Sequence, residues 1–93
     1  MSNEQFNSVW DAIEDTPVAA ENMRLRSVLI MALKNHIEQE GFSQAQAAKV
    51  FGVTQPRISD LTRGKIHLFS LDTLVNMVAS AGLHVELKVS DAA

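Results

Sequence analysis

Between Ser43 and Gly64 the sequence leaves little choice: two short helices must meet nearly at right angles across a tight turn. Ser43, with Gln46 three residues on, matches a capping box that opens the first helix, and Gly52 closes it. Thr54 opens the second helix and Gly64 ends it. Ala48 is small enough to let the helices approach, and Gly52 can take the positive φ that a sharp turn favours. Ala47, Phe51, Val53, Ile58 and Leu61 fall where inward-facing apolar residues would lock the pair, while the positions between them are polar. Alanine–glycine spacing alone would fit any helical hairpin. The joint match of small residue, glycine, apolar positions and caps fits far fewer folds.

The same punctuation runs through the rest of the chain. Thr16 followed by Pro17 reads as an N-cap with proline at the first helical position, and Gly41 ends that long helix after Glu40. Its stretch Val28 to Leu33 is apolar around the whole circumference, so more than one face needs covering. Ser70 caps a further helix, with Asp72 complementing the helix dipole, and Gly82 stops it. Ahead of these, Phe6, Val9, Trp10 and Ile13 recur at helical spacing within Phe6–Glu14. After Gly82 the period becomes two: Leu83, Val85, Leu87 and Val89 alternate with His84, Glu86 and Lys88, which predicts a strand.

The expected fold is all-α: five helices with one C-terminal β-strand, in a single domain over 1–93. Residues 1–16 hold the acidic N-terminal helix, 17–82 the helical core with the helix pair at 44–63, and 83–89 the strand. A lone strand leaves its backbone unpaired, so its partner is expected on another molecule. It would pair antiparallel across a homodimer, over Leu71, Leu74, Val75 and Val78, or extend the sheet of a different protein by edge addition.

Composition narrows the function. The chain is 46% hydrophobic, ample for a core, and contains no cysteine. No apolar run is long enough to span a bilayer, and the first residues lack a basic region followed by an apolar one. A cytoplasmic protein with no membrane partner is expected. His36, His67 and His84 show no metal-ligand spacing, and no nucleophile–base set or phosphate loop appears. No catalytic residue, metal or cofactor is therefore assigned.

A net charge of −3 argues mildly against nucleic acid, but its distribution does not. Five acids (Glu4, Asp11, Glu14, Asp15, Glu21) precede the first basic residue. From Ser43 to Phe69, Lys49, Arg57, Arg63 and Lys65 face one acid, Asp60. The acidic front and the basic middle are suited to different partners.

The run Gly52-Val53-Thr54-Gln55, then Ile58-Ser59-Asp60-Leu61 and Arg63-Gly64-Lys65, resembles the Xre/Cro family of lambda-repressor-like helix-turn-helix proteins. In that geometry the second helix enters the major groove of double-stranded operator DNA N-terminus first. Gln55 can pair with adenine, and Arg57 with guanine or a phosphate. Ser59 and Asp60 are further outward candidates, with Asp60 either accepting from cytosine or orienting Arg57 or Arg63. Pro56 can touch a thymine methyl. Gln44 resembles the family position that clamps a phosphate, and Thr54, Arg63 and Lys65 suit backbone contacts.

Taken with Phe6-x-x-Val9-Trp10-Asp11-Ala12 and Leu68-Phe69-Ser70-Leu71-Asp72-x-Leu74, the chain is similar to HigA-like antitoxins of the Xre type. That resemblance implies a homodimer that represses its own operon and neutralises a small basic RelE-like ribonuclease toxin. Phe6, Val9, Trp10 and Ile13 are the candidate toxin-binding residues. Leu71, Leu74, Val75, Val78, Leu83, Val85, Leu87 and Val89 are the candidate dimer residues. Two alternatives stand beside it: a stand-alone repressor, and an interaction module that no longer binds DNA.

Overall fold

The computed structural model describes residues 16–91. Within them, four α-helices follow one another: α1 Pro17–Glu40, α2 Gln44–Phe51, α3 Gln55–Thr62 and α4 Leu71–Ser80. A single 3₁₀ turn, Ile66–Leu68, joins α3 to α4. No described helix is long and apolar enough to cross a membrane.

The helix starts follow their local chemistry. Thr16 Oγ1 accepts the Ala19 amide at 3.1 Å, and Pro17 occupies the first turn of α1. At α2 both halves of the capping box form: Ser43 Oγ accepts from the Gln46 amide, and Gln46 Oε1 accepts from the Ser43 amide at 2.8 Å. Ser70 caps α4 by accepting the Thr73 amide. Thr54 has the extended backbone of an N-cap, but its side chain makes no capping bond to α3.

One core joins all four helices. Ile30 and Leu33 of α1 meet Ala47, Ala48 and Phe51 of α2, Ile58 and Leu61 of α3, and Leu74, Met77 and Val78 of α4. Phe69, from the α3–α4 connection, is wholly buried among them. Ala47, Ile58 and Leu61 are fully buried and Val53 packs at the edge, as the apolar pattern of the helix pair demands. The His36 ring sits edge-on to Phe42 at 5.8 Å, a packing role.

Two expectations need correction. The described residues contain four α-helices and no strand, not five helices with a strand. The predicted helix Phe6–Glu14 lies outside the described residues. Residues 83–91 carry no regular secondary structure. A strand exists only through the neighbour that pairs its amides and carbonyls, and no neighbouring strand is present among the described residues. Instead the Leu83 amide donates to the Val78 carbonyl at 3.1 Å, turning the chain off the end of α4. Of the alternating apolar set only Val85 packs against the core; Leu87 and Val89 are exposed.

The α2–α3 turn is as tight as its sequence suggests. Gly52 has φ +70°, and a Cβ there would lie 3.1 Å from Ser80 Oγ, which itself donates to the Val50 carbonyl at 2.9 Å. Gly64 has a similar φ, +72°, but a Cβ would meet nothing within 4 Å. Gly64→Ala should therefore cost about 1–2 kcal/mol from backbone strain alone. Gly52→Ala should cost more, because the Ser80 bond must also shift. Urea denaturation of the two variants measures the difference; equal losses would mean that the Ser80 contact has no energetic weight.

Candidate nucleic-acid interface

Helix α3 buries Ile58 and Leu61 and leaves the opposite side free, as expected for an eight-residue helix held by one face. Gln55 and Pro56 in its first turn are exposed, as is the preceding Thr54. Ser59 and Asp60 are half-buried, and Arg63 and Lys65 follow on the exposed exit from the helix. Gln44 stands exposed in the first turn of α2, the helix that packs on α3. The structure thus brings the polar residues singled out in the sequence onto two adjoining helices and the turn after them.

The electrostatics of this surface depend on which cations are already engaged. Asp60 Oδ1 faces Lys65 Nζ at 3.7 Å, and neither Arg57 nor Arg63. At that length, with Lys65 half exposed, the pair is weak and leaves Lys65 free to turn to another anion. Arg63 forms no ion pair among the described residues. Thr54 keeps its hydroxyl, and the first-turn amides of α3, uncommitted to a side-chain cap. An anionic oxygen would be well served there.

Arg57 is placed differently from its neighbours. It is half-buried, and its guanidinium carbon lies 4.3 Å from the centroid of the Phe69 ring. Sequence reading missed this contact, because residues 57 and 69 belong to different elements and no periodicity links them. A second contact, also missed, holds the same connection. Arg26 of α1 reaches across with Nη1 to the carbonyls of Ile66 at 3.5 Å and Phe69 at 3.4 Å. Nη2 approaches Met23 Sδ at 2.9 Å, while Nε is buried without a hydrogen-bond partner. A signal for this was available: Arg26 shares the helical stripe of Ile30, Leu33 and Ile37, where a charge needs a reason.

Of the candidate dimer residues, Leu74 and Val78 lie in the core, Leu71 and Val85 are half-buried, and Val75, Leu83, Leu87 and Val89 are exposed. With Val28 and Ala32 of α1, several of these line an open groove of about 520 Å³ between α1, α4 and the C-terminal segment. Phe6, Val9, Trp10 and Ile13 lie outside the described residues. No group of residues that could hold a metal ion occurs among those described.

A family model of a helix-turn-helix domain matches residues 12–90. Among solved structures, a chain assigned to the XRE family of transcriptional regulators is similar, at 30% identity and a TM-score of 0.71. The match covers 77% of this chain and 81% of that one. No curated protein matches the sequence.

The Arg26 bonds are long, but they are charge-assisted and partly shielded from water. Arg26→Ala removes them and the packing of the side-chain stem together. It should cost about 1–3 kcal/mol in chemical denaturation. A loss below a few tenths would mean that the two carbonyls are equally well served by water.

Proposed function

Starting from a chain that belongs to the helix-turn-helix DNA-binding regulators of XRE type, we propose that it represses transcription by binding a two-fold operator as a homodimer. The observation that carries this reading is the outward polar face of α3, with exposed Gln55 at its start and the exposed cations Arg63 and Lys65 at its exit. In this reading α3 enters the major groove, and Gln55 and Arg57 meet base edges. Pro56, Ser59 and Asp60 line the same surface. Gln44, Thr54, Arg63 and Lys65 hold the phosphates on either side, giving affinity without sequence information.

Dimerisation is supported by what α1 and α4 leave uncovered. Val28 and Met31 of α1 are 53% and 54% exposed, Val75 of α4 is 42%, and Leu87 beyond it is 76%. Val28, Val75 and Leu87 line one groove, and an apolar face of this kind on a small protein usually meets another surface. A two-fold operator requires a two-fold protein. The face that pairs in this reading is the groove side of α1 and α4.

The finer reading is an antitoxin that also neutralises a small basic RelE-like ribonuclease. It is favoured by the acidic front, which precedes any basic residue, and by Phe6, Val9, Trp10 and Ile13 within it. The Leu68–Leu74 stretch supports it less than its sequence resemblance implies. Phe69 and Leu74 are core residues and Ser70 is a helix cap, so the fold alone accounts for them. A regulator without a toxin is equally compatible with that stretch.

Salt-dependent retention of a duplex spanning the chain's own promoter tests the DNA reading, and no specific retention at low salt would sink it. Within it, Gln55→Ala or Arg57→Ala should cost about 1–3 kcal/mol and relax preference at one base pair. Arg63→Ala or Lys65→Ala should weaken all sequences alike and lower the salt slope by about 1 each. Val75→Glu should halve the mass seen by light scattering; an unchanged mass would move the dimer contact elsewhere. Purification from the native host decides the antitoxin reading. A stoichiometric small basic protein supports it, and its absence, with no toxicity from the neighbouring reading frame, refutes it.

A further inference from the structure

Arg57 is the one cation of the α3 surface whose position is set by an aromatic ring rather than by water or a carboxylate. That difference matters chemically. A carboxylate partner would occupy the in-plane N–H donors of the guanidinium, the same donors that a guanine needs. An aromatic face attracts the guanidinium's charge without accepting a conventional hydrogen bond in place of a guanine, so those donors stay available. The ring contact and base hydrogen bonding are therefore compatible, and the contact removes rotational freedom that a free arginine would lose on binding.

The ring itself is well fixed. Phe69 is fully buried, its amide donates to the Ile66 carbonyl at 3.1 Å, and its carbonyl accepts from Arg26. The next residue, Ser70, caps α4. The nearest acid along α3, Asp60, faces Lys65 and does not compete for Arg57. Among the described residues, the guanidinium forms no ion pair and no hydrogen bond.

We propose that the Phe69 ring is a platform that holds Arg57 in its base-reading pose, which makes Phe69 a specificity-positioning residue that touches no DNA itself. The proposal rests on the operator reading given above. Arg26 acts one step further back, by tying the turn that carries the ring to α1.

The test has two arms, both on the full chain. In the first, NMR follows the Arg57 side-chain protons, which the ring should shift upfield in the free protein and in complex with the promoter duplex. In the second, Arg57→Ala, Phe69→Leu and the double variant are titrated with the promoter duplex and with an unrelated one. The titrations are run at a temperature where circular dichroism shows all of them folded. Phe69→Leu should bind the promoter about three- to tenfold more weakly and the unrelated duplex equally well. In the Arg57→Ala background it should cost nothing further. The platform is overturned if the upfield shift is missing or disappears on binding, or if Phe69→Leu weakens the Arg57→Ala protein by the same factor. Should Phe69→Leu not fold, the first arm still decides. Absence of any specific retention by the unaltered chain removes the base-reading role together with the operator reading, yet leaves the free-protein shift in place, so the two failures are distinct.

Discussion

Everything on the side proposed to face DNA depends on the packing of α2 against α3. Two helices of eight residues each are too short to persist alone in water, so their stability comes from the face they share. That face is built from Ala47, Ala48 and Phe51 on one side and Ile58 and Leu61 on the other, all of them buried. Alanines on α2 let the axes approach, and the positive φ at Gly52 lets the chain reverse within a few residues. The outward side of α3 is then presented rigidly, with α1 and α4 behind it.

The connection after α3 contributes more than a link. It turns through Ile66–Leu68, buries Phe69, and starts α4 at Ser70. Its inner side is tied to α1 through Arg26, and its ring underlies Arg57. A short stretch thus couples the core, the helix order and the surface expected to read DNA. This explains physically why its sequence is distinctive without invoking a second partner.

Much of this was visible in the residues. Thr16-Pro17, Ser43 with Gln46, Ser70 and the glycines placed the helices of the described region, because capping chemistry is local and depends on few atoms. The core positions of the helix pair followed from periodicity. Contacts between distant residues were hidden: Arg57 on Phe69 and Arg26 on the Ile66 and Phe69 carbonyls leave no pattern along the chain. The C-terminal segment failed for the opposite reason. Its alternation from Leu83 to Val89 was clear, but alternation states only which side chains share a face. Whether a strand forms depends on a partner backbone, and the described residues offer no second strand to pair with it.

If α3 lies in the major groove, it covers guanine N7, and protection of that atom from methylation on the promoter duplex examines the placement most directly. The N7 atom lies only in the major groove and is the acceptor that Arg57 would use. Bound protein should protect guanines in two patches about one helical turn apart, and the Arg57→Ala protein should leave at least one guanine in each patch reactive. Protein bound to the duplex with every guanine N7 still reactive would contradict the account.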